Sequence, residues 1–272
     1  EYIHNGQGPQ PFFWRAPTDN DYGAKLPTRL KAWREASYQT PKAESFNISK
    51  DGDKSIVKVT YRFPQVDAQW EITYKVFANG IIKVDNRFVA EGTETPMIPR
   101  VGLRMQLSEI LNDLTYYGRG PEENYRDRRT SQFIGEYTTP IKDLYEPYIR
   151  PQENEHRTDI YWCALTTKQK AGLLFIADRT FELNASNYLL GSLDSGETID
   201  NGAPRTNETN HRHLTDPQPV KQVDMFIDYR MMGVGGDNSW GAIAHEPYLI
   251  RPGVENACLL YTSPSPRDGL LS

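Results

Sequence analysis

Apolar and polar residues alternate along most of the chain from about residue 43 onward. In KSIVKVTYRF (54–63), Val59, Tyr61 and Phe63 fall on one face and more polar residues on the other. A period of two is that of a β-strand with one buried and one wetted face. The pattern recurs in QWEITYKVF, GIIKVDNRFV, PRVGLRMQL, TDIYWCALTT, AGLLFIAD and VDMFIDYRM. The sequence therefore predicts an all-β fold, a large β-sandwich of antiparallel strands.

Turn-forming residues separate these stretches. DGDK (51–54) and ANG (78–80) are typical of tight turns between paired strands. One short helix is predicted in the first half, around TRLKAWREA (28–36). Two loops, at about 118–158 and 191–217, are long and rich in Pro, Asn and Glu. Because such loops are usually functional or packed on a neighbour, we expect them to meet another part of a larger protein.

Composition narrows the class of protein. The 272 residues carry a net charge of -5, and 38% of them are hydrophobic, so a packed core is expected. The acidic balance argues against nucleic acid as a partner, and no apolar run approaches the roughly 20 residues of a membrane span. Two cysteines make neither a disulfide framework nor a metal cluster. Of these, Cys163 is expected to be a buried strand residue.

The densest run of charge is YYGRGPEENYRDRR (116–129). It combines the carboxylates Glu122, Glu123 and Asp127 with four arginines behind a glycine-flanked turn. Paired carboxylates suit a glycosidase or another acid–base catalyst. Carboxylates interleaved with arginines equally suit an anion-binding site or a loop braced by ion pairs. The residues alone leave all three interpretations open.

A second acidic cluster, in APTDNDYG, has the composition of a calcium loop. Asp19, Asn20 and Asp21 precede Gly23, but that glycine falls one place early, and Leu30 stands where a bidentate Glu belongs. We therefore expect an Asx-type turn in which these side chains cap backbone groups.

Two further motifs have weak chemical interpretations. His211 and His213 stand at i and i+2 in HRH, and no third ligand follows at a recognisable spacing, which favours hydrogen bonding to a neighbour or a sugar over metal binding. GVGGDN (233–238) superficially resembles a dinucleotide loop. It ends in Asn238 rather than Gly and precedes no long helix, so a tight turn or bulge is predicted.

Six stretches span nearly the whole chain: FWRAPTDNDYG (13–23), PRVGL (99–103), YYGRGPEENYRDR (116–128), YIRPQENEHRTDIYW (148–162), HRHL (211–214) and MGVGGDNSWG (232–241). Together and in this order they resemble the C-terminal β-sandwich, the small-chain domain, of bacterial β-galactosidases of glycoside hydrolase family 2. Each stretch is a weak signal alone, whereas six in order are specific.

The resemblance implies a large antiparallel sandwich like that of the aldose epimerases, a galactose-mutarotase-like fold. It also implies a function, the hydrolysis of terminal β-D-galactose residues, as in lactose catabolism. In the family both catalytic glutamates lie on a preceding (β/α)-barrel, so this chain is expected to hold no catalytic residue and to be inactive alone. The charged run then becomes a braced loop. Its expected partners are Arg119, Arg126 and Arg128 for Glu122, Glu123 and Asp127.

The resemblance also implies substrate-binding residues. The family places an aromatic platform for galactose on the strand after HRHL, and ungapped alignment of MGVGGDNSW puts that position at Asp224. An aspartate can accept hydrogen bonds from hydroxyls but cannot stack on a sugar, so the platform is expected to be missing, shifted or supplied elsewhere. A mobile loop of the family matches WREASY. The substrate-binding candidates are Asp224, His211, Arg212, His213, Ser37 and Tyr38.

Partners and cofactors follow from the same resemblance. The implied partners are the barrel domain of the same chain and a galactoside, in a parent enzyme expected to be a homo-oligomer, with neither nucleic acid nor a membrane. No metal or cofactor is implied in this segment, since the parent family often uses Mg and Na bound mainly by other domains. Either the bacterial cytoplasm or the periplasm would suit such an enzyme.

Three segments are expected along the chain. Residues 1–42 form a leading segment and linker packed on the sandwich, 43–257 the sandwich, and 258–272 a non-native tail. CLLYTSPSPRD (258–268) resembles the translation of a sequencing adapter, as in a truncated metagenomic reading frame. We therefore expect the last strand to be lost and a neighbouring strand to have an unpaired edge. The chain opens with Glu1 rather than Met, as expected of a piece of a longer protein.

Two alternatives remain open at this point. One is a related family 2 enzyme with a different sugar preference, and the other is a stand-alone carbohydrate-binding or aldose-epimerase-like domain. Epimerase chemistry would need a histidine and a carboxylate converging in one cleft. The obvious sources are His156 or His211 with Glu153 or Glu155.

Overall fold

The alternating stretches form strands where the sequence predicted them. A computed structural model describes residues 1–91, 97–194, 213–238 and 240–253, together with the backbone of 256–265. The strands in these ranges are β1 (Gln10–Phe12), β2 (Ala43–Asp51), β3 (Lys54–Phe63), β4 (Ala68–Val76), β5 (Ile82–Ala90), β6 (Arg100–Ser108), β7 (Asp113–Gly120), β8 (Phe133–Pro140), β9 (Arg157–Thr166), β10 (Gly172–Ser186), β11 (Gln222–Met231) and β12 (Asn256–Ser265). The helices are α1 (Asp19–Gly23), α2 (Leu26–Arg29), α3 (Lys31–Tyr38) and α4 (Leu190–Leu193).

The strands pair antiparallel throughout, and the chain is an all-β sandwich, as predicted. Neighbouring strands follow the order β1-β6-β11-β10-β12-β5-β4-β3-β2, while β9 joins β10 to β7 and β8 pairs with β7. The fifteen-residue β10 pairs with three other strands. Its first half pairs with both β9 and β12, and its second half pairs with β11. The long strand therefore connects β11 and β6 with β12 and β5 in one continuous sheet.

The predicted faces of β3 are confirmed. Val59 and Phe63 are buried in the core, and Tyr61 packs against it. The turn after β4 contains Gly80 at φ +86°, a left-handed conformation that a side chain would strain. Cys163 is fully buried in β9, as expected.

An aromatic cluster anchors the leading segment onto the sandwich. The ring of Phe13 lies 4.9 Å from Phe63, 5.2 Å from Trp33, 5.6 Å from Trp70 and 5.2 Å from Phe88 between centroids. Trp33 comes from α3, so its burial fixes this short helix against β-strands far along the chain. The helix predicted around 28–36 is thus observed as α2 and α3.

The expectation of an unpaired edge near the end of the chain is wrong. The backbone of β12 pairs with β10 on one side and with β5 on the other. Residues 256–265 therefore occupy an interior position, because the two neighbouring strands offer free hydrogen-bonding edges that any extended backbone can satisfy. The three segment boundaries and the origin of the tail stay predictions.

The helices of the described ranges are short, α3 having eight residues, and none of them could cross a bilayer.

Candidate functional site around Asp224 and Arg104

One face of three neighbouring strands carries an unusual number of charged side chains. Across β6, β11 and β10, Asp224 pairs with Gln106 and Ser186, and Asp228 pairs with Gly102 and Glu182. Residues two apart on a strand share a face. The polar members of this face are Arg100, Arg104, Gln106, Glu182, Asn184, Ser186, Asp224 and Asp228. Because buried charges require partners, the question is which groups pair and which stay available.

Asp224 and Arg104 form a bidentate ion pair. Arg104 Nε donates to Asp224 Oδ1 at 2.8 Å, and Nη2 donates to Oδ2 at 2.8 Å. The backbone N–H of Leu190 also donates to Oδ2, at 3.0 Å. Asp224 is fully buried, whereas the Arg104 side chain is 18% exposed. Both oxygens proposed to accept sugar hydroxyls are thus already engaged, and the accessible side chain of the pair is that of Arg104.

The guanidinium of Arg104 lies over two aromatic rings. Its carbon is 5.1 Å from the centroid of Phe12 and 5.5 Å from that of Phe226, which adds cation–π attraction. Burial lowers the pKa of Arg104, but the adjacent Asp224 carboxylate outweighs burial and raises it above its ordinary value. The charge is therefore permanent. Nη1 has no hydrogen-bond partner in the described part of the chain, which leaves a donor for a ligand.

The end of α3 lies beside this pair. Ser37 Oγ donates to the carbonyl of Trp33 at 2.8 Å and accepts from the N–H of Phe13 at 3.0 Å. A cavity of about 70 Å³ is lined by Ser37 and Arg104, among others. The edge of Tyr38 packs on Phe12 at 5.7 Å between centroids. The structure therefore brings Ser37 and Tyr38 to the Asp224–Arg104 pair.

Tyr38 combines an accessible ring with a perturbed hydroxyl. Although 45% of the residue is exposed, desolvation and then the Asp194 carboxylate raise the pKa of its hydroxyl. Asp194 accepts from Trp14 Nε1 and from Arg34 Nε, each at 2.9 Å. The Tyr38 hydroxyl consequently stays protonated at neutral pH and is available as a donor.

Of the HRH histidines, the structure describes only His213, whose contacts do not include the Asp224–Arg104 pair. His213 is exposed, and its backbone N–H donates to the Asp216 carboxylate at 2.9 Å. His211 and Arg212 lie outside the described residues.

A second charged group lies further along the same sheet face and is sealed. Arg100 Nε lies 3.1 Å from Asp228 Oδ2, and its Nη2 donates to Asn184 Oδ1 at 2.7 Å and to Glu153 Oε1 at 3.3 Å. A Cβ added at Gly102 would lie 1.9 Å from Asp228 Oδ1, so only glycine allows the carboxylate to rest there. Burial raises the pKa of Asp228 to about 7.

His156 belongs to this sealed group. Its ring nitrogens lie 2.8 Å from Asn184 Oδ1 and 3.1 Å from Glu182 Oε2. The epimerase alternative paired His156 with Glu153 or Glu155, whereas the observed carboxylate partner is Glu182. At 1% exposure, His156 is closed to a sugar in this conformation. A histidine and a carboxylate converge here, but as part of the interior.

The charged run 116–129 is a braced loop with partners that differ in part from those expected. Glu123 pairs with Arg128, and its Oε2 accepts from the N–H of Glu155 at 2.9 Å. Asp127 binds backbone instead of arginine, accepting from the N–H groups of Val234 at 3.0 Å and Gly235 at 2.8 Å. It thereby fixes the GVGGDN stretch, which is a turn and not a nucleotide loop.

The other arginines of the run leave it for partners elsewhere. Arg119 pairs with Asp159 at 2.7 Å, and Arg126 lies 3.6 Å from Glu182. The expectation that these two neutralise carboxylates of the run is wrong, because the strand pairing of β7 and β9 brings Asp159 closer. Glu122 is exposed.

The acidic cluster of α1 is structural. Thr18 and Asp21 form a reciprocal capping box, and Asp21 pairs with Arg15 at 2.8 Å. Its carboxylate is therefore unavailable to calcium. Within the described ranges, no three His, Cys, Asp or Glu side chains are grouped as metal ligands.

Comparison with known proteins decides the family. The family profile described as beta galactosidase small chain matches residues 1–260. A β-galactosidase of Priestia megaterium is 32% identical over 243 residues, which cover 89% of this chain and 22% of the relative. The chain belongs to the β-galactosidase small-chain family. A β-galactosidase of Streptococcus thermophilus is 31% identical over 248 residues, 90% of this chain and 22% of the relative.

This member of the small-chain family thus spans about a fifth of the length of its curated relatives. Among solved structures, a galactose 1-epimerase from Lactobacillus acidophilus is similar at 8% identity, covering 80% of this chain and 65% of that one with a TM-score of 0.43. An aldose epimerase homologue from C. elegans is similar at 10% identity. The match covers 81% of this chain and 68% of that one, with a TM-score of 0.40. The family predicted from six ordered stretches is confirmed.

Sequence reasoning missed the arginine in this small-chain site. Arg104 stands within PRVGLRMQL, where its alternation with Arg100 places two cations on one face of a strand that otherwise looks buried. That pattern was a usable signal, because a buried cation demands a carboxylate opposite. The signal does not identify Asp224 as the partner, which is 120 residues away.

Proposed function

We propose that this chain is the small-chain part of a β-galactosidase that hydrolyses terminal β-D-galactose residues, with both catalytic carboxylates on a preceding barrel domain. Family membership supports this, as do relatives named β-galactosidase that are several times longer. Galactoside and barrel domain are then the partners of the chain.

The braced loop supports the absence of catalysis in this part. A retaining glycosidase needs two carboxyl groups about 5 Å apart, both free to reach the sugar. Glu123 is held by Arg128, by the Tyr148 hydroxyl and by the N–H of Glu155. The adjacent Glu122 is exposed, so within this loop it would have no free carboxylate partner for catalysis. We expect the chain alone to hydrolyse no galactoside.

The Asp224–Arg104 pair is the proposed contribution to the galactose site. Asp224 occupies the platform position of the family and positions Arg104, whose Nη1 would donate to a sugar hydroxyl. Tyr38 would supply aromatic surface, and Ser37 fixes the end of α3 beside it. His211, Arg212 and His213 are proposed on the adjoining loop. The carrying observation is that two donors of Arg104 are bound to Asp224 while Nη1 is left over.

The test compares the chain alone with the chain preceded by the domains that its relatives carry. Turnover of a chromogenic β-galactoside is expected only in the joined protein. There, Arg104→Ala should raise KM by roughly tenfold with a smaller change in kcat, because a charged hydrogen bond to the sugar is lost. Arg62→Ala, at an exposed ion pair with Asp67, is the matched control and should leave KM unchanged.

Two results would contradict the proposal. Turnover by the chain alone that disappears with Glu122→Gln or Glu123→Gln would move catalysis into this part. An unchanged KM in Arg104→Ala would remove the guanidinium from the sugar site while leaving the family assignment intact.

A further inference from the structure

A second cleft lies past the end of β10 and is not used by the proposed galactose site. Its volume is about 510 Å³, within the range of pockets that hold small ligands. One side is formed where β7 begins, at Asn112, and the other by Asn187 and Tyr188 after β10. Pro219 and Val220, just before β11, complete the second side.

Hydrogen bonds fix both sides of the cleft. The N–H of Asn112 donates to the carbonyl of Thr166 at 3.1 Å, and the carbonyl of Asn112 accepts from Ile141 at 2.9 Å. On the other side, the carbonyl of Asn187 accepts from the N–H of Val220 at 2.7 Å. Since both sides are tied to strand ends, the cleft exists without a ligand, which lowers the entropy lost on binding.

The cleft has an aromatic wall with a fixed orientation. Tyr188 stacks on Tyr145 with ring centroids 4.0 Å apart and an interplanar angle of 26°. The stacking holds the Tyr188 ring in place, and Pro219 and Val220 add apolar surface beside it. An immobile aromatic ring flanked by apolar side chains matches the C–H face of a pyranose, which is apolar while its rim is polar.

Amide side chains provide the polar groups. Asn112 Oδ1 is buried and has no hydrogen-bond partner in the described part of the chain. Asn187 Nδ2 donates to the carbonyl of Gln222 at 3.0 Å, which orients its amide. Amides both donate and accept, as recognition of hydroxyl groups requires. Because Asn112 Oδ1 is covered, a ligand hydroxyl reaches this unmet acceptor once the amide turns toward the cleft, which supplies the missing hydrogen bond.

The charges around the cleft balance. Glu109 and Asp113 face Lys142 and Lys168 among the lining residues, and Asp113 also pairs with Lys170 at 3.4 Å. With two anions and two cations, the rim attracts neither an anionic nor a cationic ligand strongly. The chemistry that remains is a neutral molecule with one apolar face and several hydroxyls.

We propose that the Asn112–Tyr188 cleft binds a neutral saccharide unit, as a second sugar site distinct from the Asp224–Arg104 group. Tyr188 carries the stacking and the two asparagines contact hydroxyls. This site would bind sugar without hydrolysing it. It needs only residues of this chain, whereas the proposed hydrolysis needs the preceding barrel domain.

Titration of the chain with galactose, lactose and cellobiose, followed by NMR, tests the cleft. At least one sugar should shift the side-chain amide signals of Asn112 and Asn187. Tyr188→Ala should lower the affinity for that sugar by roughly threefold to tenfold, the size of one aromatic contact. Tyr188→Phe should leave the affinity for that sugar unchanged. Tyr117→Ala, which removes a partly exposed ring outside the cleft, is the matched control and should change nothing.

Three outcomes would overturn the site. They are no shift with any of the three sugars, equal weakening by Tyr117→Ala and Tyr188→Ala, and shifts confined to residues around Arg104. If Tyr188→Ala fails to fold, the NMR shifts of the unmodified chain decide between the sites. Shifts at Asn112 and Asn187 support the cleft, and shifts confined to residues around Arg104 reject it. Because this assay uses no hydrolysis, its failure is separable from failure of the proposed galactosidase function.

Discussion

The two charged groups on the β6–β11–β10 face use the same residue types and differ in access. Arg100 is fully buried, and its partners Asp228 and Glu153 are buried with it. Arg104 makes two hydrogen bonds to Asp224, is 18% exposed and has a donor left over, whereas Arg100 Nε and both Asp228 oxygens are buried without a hydrogen-bond partner. Neither the density of buried charge nor an unmet polar atom therefore locates a binding site. What distinguishes the Asp224–Arg104 group is that its cation comes from a side chain that reaches solvent.

The largest effect should come from exchanging the two arginines for leucine. Arg100→Leu leaves Asp228 and Glu153 buried without a cation, and we expect a loss of about 3–5 kcal/mol in the free energy of unfolding. Arg104→Leu should cost less, since water can reach the vacated space and Leu190 still donates to Asp224. Urea unfolding followed by circular dichroism gives both values. Equal losses would show that access makes no difference to the two groups.

Asp224→Trp tests whether the platform position can take the aromatic side chain expected from the family. The new ring would replace a fully buried carboxylate and leave Arg104 without its ion pair, so we expect a loss of about 2–4 kcal/mol. Adding Arg104→Leu should recover part of that loss in a double-mutant cycle. Additive losses in the same urea experiment would mean that the two positions do not depend on each other.

Two buried acids, Asp228 of the sealed group and Glu155, should also make stability depend on pH. Burial raises the pKa of Glu155 to about 8 and that of Asp228 to about 7. Both acids hold their protons longer in the folded state than in the unfolded state, so stability falls as pH rises from about 4 through 8. While such an acid is protonated in the folded state and ionised in the unfolded state, it lowers the free energy of unfolding by about 1.4 kcal/mol for each unit of rising pH.

The amide variants Glu155→Gln and Asp228→Asn identify the source of this pH dependence. Each should flatten the change in urea midpoint between pH 5 and pH 8, whereas Glu122→Gln, at an exposed position, should not. A midpoint that rises toward pH 8 in the unmodified chain would contradict the assignment of both buried acids.

The smallest effect is expected at Ser37. Ser37→Ala removes the acceptor of the Phe13 N–H, and we expect a loss of about 1 kcal/mol. Thermal unfolding should show it as a lowered Tm, with the exposed Ser45→Ala as control. A Tm shift as large as that of Arg100→Leu would mean that the end of α3 supports the whole sandwich and not only the site.

Local patterns in the sequence predicted most of the fold. Alternation located β3, β4 and β5 because a strand with one buried face must show a period of two. The short helix was predicted from the local stretch TRLKAWREA (28–36). The position of β12 was not, since backbone hydrogen bonding alone can place a segment between two strands whatever its side chains.

Three members of the candidate site were expected from the family resemblance, whereas Arg104 and the pairing were not. Motif order placed Ser37, Tyr38 and Asp224 in one site, and the structure brings these three together. Pairing depends on contacts between distant segments, which is why Arg119 was expected to pair within its own charged run. The carboxylate it meets is Asp159, 40 residues further along the chain.

The position of β12 has a consequence for how the protein is made. Val84 of β5 pairs with Leu260, so one of its neighbours is synthesised 176 residues after it. At the usual rate of translation, that interval is roughly 10–30 s. The edge of β5 waits for this late segment throughout that interval, and the edge of β10 waits for roughly its second half. In a chain that carries this segment, β12 inserts between two strands that have already been made.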